Sequence, residues 1–518
     1  MSDTPLSPAS PSKQSAGWAL FVLLAGLLTL YRLWAVQHSG ISLFFDESQY
    51  WDWSRRMDWG YYSKPPMVAA EIWLSTALLG SGVLGVKTLS MLLYPLTAGV
   101  LAGLARALWP GEVGVRSGWI GAALFLTMPL VGLLGMVVST DGPLLLCWAL
   151  ASWALWRAQT QDKPLDWLAC GLAVGLGVMS KYTMGAFALT ALWVLWAVPG
   201  PRKGLWRPGP WMAALAAAVV VAPNIWWNVQ NHFPTLQHTA DITTKSARSG
   251  GIVPAMIFLL GQIAALGPFA VLAAWLAGRG HRSDEESGKT NQGVSTFLLA
   301  GSAPLLALAV LQAFKADAHV NWAAPALLGV ILILAYRLAT AGKAMTRWVG
   351  LAVVSNLLLT GAVFHAQELA HGTLPGKFDI LVRMRGWQTA YDALAPVRNQ
   401  DDLARLPVMA DSRLILTQTA YHWRQFDVHP MAWNPKGTRL DHYQMTNSMP
   451  GTPGQDVLYV TDRMASPSVL DRFQSSQLLR TVQVPIAPDR MLSLRVYVAR
   501  GFKGYGSASG PAPTPSED

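Results

Sequence analysis

Charge is scarce in this chain. Only 13% of its 518 residues are Asp, Glu, Lys or Arg, while 52% are hydrophobic. Ordinary soluble domains carry about a quarter charged residues, so this balance excludes one or two of them as the whole protein. Cysteine is scarcer still. Cys147 and Cys170 are the full complement and both lie inside apolar runs, which excludes a disulfide framework or a cysteine-rich metal centre and leaves them as packing residues. The polar C-terminal part has no GxGxxG and no Walker-type loop, so nothing there supports a nucleotide site. The formal charge of +10 bears first on topology in so apolar a chain, and only then on nucleic acid.

Segments close to the roughly twenty residues needed to cross a bilayer recur through the first two thirds of the chain. Hydropathy and length predict about eleven, at 17-36, 85-105, 117-138, 142-158, 166-180, 182-198, 210-225, 252-277, 295-313, 323-338 and 348-365, with Pro129 placed to split the third. The first is too long for a signal peptide and lacks a small-residue cleavage site, so it reads as an uncleaved span. With a cytoplasmic N-terminus, alternate connections should carry the Lys and Arg excess. They do: Arg106 and Arg116; Arg157 and Lys163; Arg202, Lys203 and Arg207; Arg279, Arg282 and Lys289; Arg337, Lys343 and Arg347. Positive charge therefore sorts to one side of a membrane, and nucleic acid is not expected as a partner.

The same parity puts 37-84, 139-141, 181, 226-251, 314-322 and everything after about residue 366 on the far side. There lie Asp46, Glu47, Tyr61, Tyr62, Lys64, Asp141, Lys181, Asn228, His238, Lys245, Arg248, Asp317, His319 and Asn321. Charges at span ends are costly unless they face water or a cavity, so their gathering motivates a site. Singly, each is equally well an interfacial cap or a snorkelling side chain. The segment 66-80 is apolar but short and holds Glu71, which predicts an interfacial helix and not a span. Many of the 24 Trp residues sit at span ends, where an amphipathic ring anchors at the lipid headgroups.

From about Gln367 polar residues return. Strands are predicted at Arg413 to Thr417, Val457 to Val460 and Leu492 to Val498, and helices at Trp387 to Leu394 and Pro467 to Phe473. The expected fold is therefore mostly α: a polytopic membrane protein of about 11-13 transmembrane helices with a small C-terminal α/β domain. Its expected parts are a disordered 1-16, a membrane domain 17-365 with a far-side loop 37-84, an α/β domain 366-503 and a disordered tail 504-518.

Asp46 and Glu47 follow a membrane exit, and Tyr61-Tyr62-Ser63-Lys64-Pro65-Pro66 follows in the same connection. The prolines restrict the backbone behind Lys64, so its ammonium is presented in a limited region, for substrate or for lipid phosphates. Neighbouring carboxylates in an extended segment point to opposite sides, so one at most is expected to face a substrate. With Ser139-Thr-Asp-Gly-Pro-Leu, Ser180-Lys-Tyr-Thr, Pro223-Asn-Ile-Trp-Trp-Asn and Asn321-Trp-Ala-Ala-Pro in this order, the chain resembles the bacterial polyprenyl-phosphate-dependent glycosyltransferases. That group includes protein O-mannosyltransferases and lipid A aminoarabinose transferases and has the GT-C membrane fold. The likeness covers about residues 20-365 and extends into the C-terminal part through Gly386-Trp387.

The resemblance implies an inverting transfer of one sugar from a polyprenyl (undecaprenyl) phosphate to a lipid, glycan or protein acceptor, at the periplasmic face of a bacterial inner membrane. It implies Asp46 as base or acceptor-orienting carboxylate, with Asp141 brought beside it from another connection, and Glu47 as a further acidic residue of the site. Lys64, Lys181, Tyr62, Lys245 and Arg248 would hold the donor phosphate, and Tyr61, Asn228, His238 and Asn321 the substrate. A leaving group that is already a phosphate calls for a base and cations more than for an acid. The aminoarabinose transferases have a metal-ligating Glu before the Lys-Pro-Pro lysine, where this chain has Ser63. That departure disfavours a divalent metal, leaves no cofactor expected, and weakens aminoarabinose as the sugar. Two other classes compete, a transporter or flippase and an oligosaccharide ligase of related fold. A transporter would place ionisable residues near the bilayer midplane, whereas here they fall at span ends.

Overall fold

The computed structural model describes residues 11–200, 204–245, 250–279, 288–341 and 345–506. They form two compact units. One runs up to Ser39 and resumes over Met57–His365; the other combines Gly40–Arg56 with the chain from Ala366. The chain changes unit at residue 366, and the expected far-side loop 37-84 is divided: Gly40–Arg56 packs with the C-terminal unit.

The first unit is helical. Six of its described helices are long and apolar enough to cross a membrane: Phe21–His38, Val83–Leu108, Pro208–Gln230, Gln292–Lys315, Val320–Thr340 and Met345–Phe364. A seventh candidate, Ile252–Leu266 with Pro268–Ala277, is bent by 84° at Gly267, whose φ of +93° suits glycine. The other expected spans fall on shorter or more polar helices. The expected span 117-138 breaks at Met128, with one helix over Gly111–Thr127 and another over Pro129–Leu134, because proline has no N–H to continue the ladder. Met67–Leu79 has 13 residues, short of a bilayer's thickness, in line with the interfacial helix expected there. Cys147 and Cys170 are buried thiols.

Small residues let the helices approach. A Cβ on Gly118 would lie 2.9 Å from the Ala102 carbonyl oxygen, and one on Gly175 2.7 Å from Val220 Cβ, so these crossings admit only glycine. Behind them Phe125, Leu144, Leu145, Trp148, Leu155 and Ile331 form the buried core, while Leu215, Val219, Leu260 and Leu358 stay exposed as lipid would require.

The connecting loops fall into two sets, each bonded within itself. In the first, Trp156 Nε1 donates to the Ala107 carbonyl at 3.0 Å and Gln159 Nε2 to that of Val198 at 2.6 Å. Arg157 pairs with Asp166 at 2.9 Å and Arg207 with Asp162 at 3.5 Å. In the second set, Asn224 Nδ2 donates to the Trp59 carbonyl at 2.7 Å, Thr235 Oγ1 to that of Tyr61 at 3.1 Å and Gln262 Nε2 to that of Val320 at 3.2 Å. The first set includes arginine-bearing connections of the sequence analysis, and Trp59, Tyr61, Thr235 and Val320 of the second belong to the alternate connections.

The second unit holds a five-stranded sheet of β1 (Val408–Ala410), β2 (Met431–Ala432), β3 (Val457–Thr461), β4 (Phe473–Ala487) and β5 (Arg490–Phe502). Its order is β2-β1-β3-β5-β4. β1 is parallel to β2 and β3, and β5 is antiparallel to β3, with Tyr459 opposite Tyr497. The α/β expectation holds, with three differences. Arg413 to Thr417 is no strand but opens the helix Arg413–His422, where the Ile415 N–H donates to Ser412 Oγ at 3.3 Å. Four apolar or β-branched residues in a run do not distinguish a buried helix from a strand, and the serine cap decides for helix. The helix from Pro467 stops at Leu470, and Phe473 begins β4. That 15-residue edge strand escaped the sequence reading because its residues are largely exposed and show no sustained alternation.

Candidate functional site

In the first unit the expected residues Asp141, Lys181 and Asn321 come together. Asp141 lies in the first turn of the helix Asp141–Gln161, where the helix dipole favours a carboxylate. Lys181 interrupts the chain between the helix Pro164–Ser180 and a short 3₁₀ turn, in extended conformation at φ −157° and ψ 132°. Asn321 sits on the 3₁₀ turn Val320–Ala323. Lys181 Nζ is 2.8 Å from Asp141 Oδ1, and Asn321 Nδ2 donates to Oδ2 at 2.7 Å. The Asp141 side chain is 2% exposed and that of Lys181 16%. Asp141 is thus held at both oxygens, and Lys181 keeps two further N–H donors directed by a fixed carboxylate.

A second group begins one residue on. Tyr182 OH donates to Asn224 Oδ1 at 2.7 Å and accepts from Asn228 Nδ2 at 3.1 Å. Both asparagines lie toward the end of the helix Pro208–Gln230. The 58–64 turn is tied to the same helix: Trp227 Nε1 donates to Asp58 Oδ2 at 2.6 Å, and the Asp58 N–H to Tyr61 OH at 3.1 Å. Within the turn the Tyr61 N–H donates to the Lys64 carbonyl at 3.0 Å. Gly60 packs so tightly on Trp227 that a Cβ there would collide with the indole ring. Tyr61 and Tyr62 are buried, Lys64 half-buried, and the His238 ring lies 5.1 Å from that of Tyr62. The buried Oδ1 of Asn228 has no hydrogen-bond partner among the described residues. It is an acceptor that a sugar hydroxyl would satisfy.

Lys245 ends the helix Pro234–Lys245, and its side chain lies outside the described region; Arg248 lies outside the described residues altogether. Among the described residues no three His, Cys, Asp or Glu side chains are grouped so as to hold a metal ion.

Asp46 and Glu47 belong to the second unit. They lie in the first turn of the helix Phe45–Ser54, so the extended geometry expected for them is corrected: successive helical residues diverge by about 100°. Glu47 is fully buried and its Oε2 accepts from the Phe44 N–H at 2.8 Å. This reach back caps the helix start. Asp46 stays 35% exposed and pairs with Arg413. The helix rests on Arg413–His422, where Ser48 Oγ donates to Gln418 Oε1 at 3.1 Å and Trp51 meets Tyr421 edge-on. Tyr182, Asn224 and Trp227 lay within the recognised motifs without being singled out. Arg413 had no signal, being 367 residues from Asp46 in sequence.

Beneath Asp46's helix, His422 bonds Ser42 Oγ at 3.1 Å and Gln388 Oε1 at 3.2 Å. Burial, helped by Arg424, pushes its pKa down to about 3 from the usual 6.5. The folded protein therefore holds it neutral while the unfolded chain takes up a proton, so its stability contribution, present above about pH 6.5, is lost as pH falls toward about 3. His422→Gln is expected to flatten the fall in melting temperature between about pH 7 and about pH 5. Parallel melting curves for variant and wild type would assign that fall to other groups.

The family described as dolichyl-phosphate-mannose-protein mannosyltransferase matches residues 63–227. The lipid A galacturonosyltransferase RgtD of Rhizobium johnstonii is 29% identical over 470 residues, 87% of this chain and 93% of that protein. The undecaprenyl phosphate-alpha-4-amino-4-deoxy-L-arabinose arabinosyl transferase of Erwinia tasmaniensis is 29% identical over 218 residues, 40% of this chain and 38% of that protein. The crystal structure of ArnT from Cupriavidus metallidurans bound to undecaprenyl phosphate superposes with a TM-score of 0.62 at 18% identity, over 96% of this chain and 99% of that one. The last likeness establishes the fold across both units, and the sequence relationships carry the enzyme class. The chain is a membrane glycosyltransferase of the GT-C fold, similar in sequence to polyprenyl-phosphate-sugar-dependent transferases.

Proposed function

We propose that the enzyme moves a monosaccharide from undecaprenyl phosphate to a lipid A acceptor at the periplasmic face of the inner membrane. The observation that carries this reading is the Asp141–Lys181–Asn321 group, which presents an oriented ammonium in connections that charge parity assigns to the far side. A relative that is a lipid A galacturonosyltransferase supports the acceptor class. A solved relative with undecaprenyl phosphate bound supports the donor.

In the proposed reaction Asp46 accepts the proton of the acceptor hydroxyl as its oxygen attacks the anomeric carbon. The bond from that carbon to the phosphate oxygen breaks, and undecaprenyl phosphate leaves with the electron pair, inverting the configuration. Lys64 and Lys181 stabilise the phosphate, each as a compact charge with rotatable donors, and Lys245 and Arg248 add to them. Tyr62 orients the phosphate end of the donor. Tyr61, Asn228, His238 and Asn321 serve the sugar and acceptor. Asn228 does so through its unpartnered oxygen, Tyr61 by holding the Lys64 turn and Asn321 by holding Asp141.

Lys64→Ala is expected to lower kcat/KM for undecaprenyl-phosphate-linked galacturonate by about 10²–10³-fold, corresponding to about 2.7–4 kcal/mol of lost anion stabilisation. Steady-state kinetics with purified lipid A checks this. A wild-type kcat/KM would remove Lys64 from the donor site and leave it a lysine at the lipid surface.

A further inference from the structure

We propose that Arg413 is a positioning residue for Asp46, fixing its Oδ1 so that Oδ2 is the oxygen left to take the acceptor's proton. This rests on Asp46 being the base.

Asp46 is an aspartate in a helix's first turn with a third of its side chain exposed, a setting in which a carboxylate ordinarily samples several rotamers. Arg413 restrains it. The guanidinium Nη2 donates to Asp46 Oδ1, and Nε donates to Gln49 Oε1 at 2.7 Å. Gln49 is three residues after Asp46, on the same helical face, so one planar fork spans both side chains.

The arginine is itself anchored independently of Asp46. Its guanidinium lies 5.0 Å from the centre of the Phe45 ring, a cation–π distance. Its backbone opens a helix capped by Ser412 and buried from Ile415 to His422. A long cation held at Gln49 and Phe45 pays little further ordering cost when it also grips Asp46, unlike a typical exposed ion pair. Burial disfavours the charge on Arg413, but Asp46 and the other nearby acidic groups, Tyr50 and Asp441, outweigh it and raise the pKa, so the cation persists throughout the working pH range.

One consequence separates positioning from simple scaffolding: a base released from its fixed rotamer loses alignment with the acceptor, and misplacement by about 1 Å costs about 10²-fold in rate, read as a loss of kcat with donor KM unchanged.

The test uses the full-length enzyme in detergent with undecaprenyl-phosphate-linked galacturonate and lipid A. Arg413→Met is expected to lower kcat by about 10²-fold with donor KM nearly unchanged. Arg413→Lys, which keeps the charge but not the fork, should recover only part of kcat. Should Arg413→Met not fold, Gln49→Leu decides: it leaves the charge, removes one anchor and is expected to lower kcat about tenfold. Wild-type kcat in Arg413→Met, or in Gln49→Leu, would overturn the proposal while Asp46→Asn remained inactive. Activity in Asp46→Asn would instead overturn the assignment of the base.

Discussion

Asp46→Asn is expected to lower transfer by about 10²–10⁴-fold, the range typical of losing a positioned general base, with little change in melting temperature. Asparagine keeps the size of the side chain and an oxygen that accepts from Arg413, so the helix Phe45–Ser54 should stay docked on Arg413–His422. What it cannot do is bind the acceptor's proton. Glu47 offers no substitute, because its carboxylate is fully buried and committed to the Phe44 N–H. Glu47→Gln, which can still accept from that N–H, is accordingly expected to retain most activity. Turnover rates of the two variants, measured beside their melting curves, check both expectations; near-normal turnover by folded Asp46→Asn rejects the base assignment.

Asp141→Ala should have the largest effect on stability. The carboxylate is 2% exposed, pairs with Lys181 and accepts from Asn321. Deleting it leaves an ammonium and an amide facing a void, and breaking such a pair from one side costs about 3–5 kcal/mol. A second change, Lys181→Met, removes the orphaned charge and is expected to recover much of that stability without recovering activity, since the oriented ammonium is lost with it. Unfolding of the three variants in detergent gives the coupling energy directly. Equal melting temperatures for Asp141→Ala and wild type would show that the group does not brace the helices it joins.

The parts of the site that could be read from sequence were those carried by short motifs with chemistry of their own. Asp141, Lys181 and Asn321 were each visible as polar residues at the end of an apolar segment, and charge parity placed all three together. Their partners were harder. Arg413 sits far along the chain in a segment that read as a strand, and only the tertiary packing of two helices brings it to Asp46. Glu47 looked like a second catalytic acid because its N–H partner at Phe44 emerges only once the segment is helical. The count of spans also differed: helices such as Pro164–Ser180, with 17 residues, bury one face and leave Leu168, Leu172 and Leu176 exposed on the other, yet fall short of the length a straight crossing needs. β4 was missed since an exposed edge strand needs little of the apolar alternation by which strands are recognised.

Release of undecaprenyl phosphate from a panel of undecaprenyl-phosphate sugars, including galacturonate and 4-amino-4-deoxyarabinose, tests the central claim most directly. Detergent-purified enzyme would be given lipid A, with Asp46→Asn in parallel. The account predicts release from one donor, dependent on lipid A and lost in the variant. No release from any donor by folded protein with lipid A present, or equal release by Asp46→Asn, would contradict it.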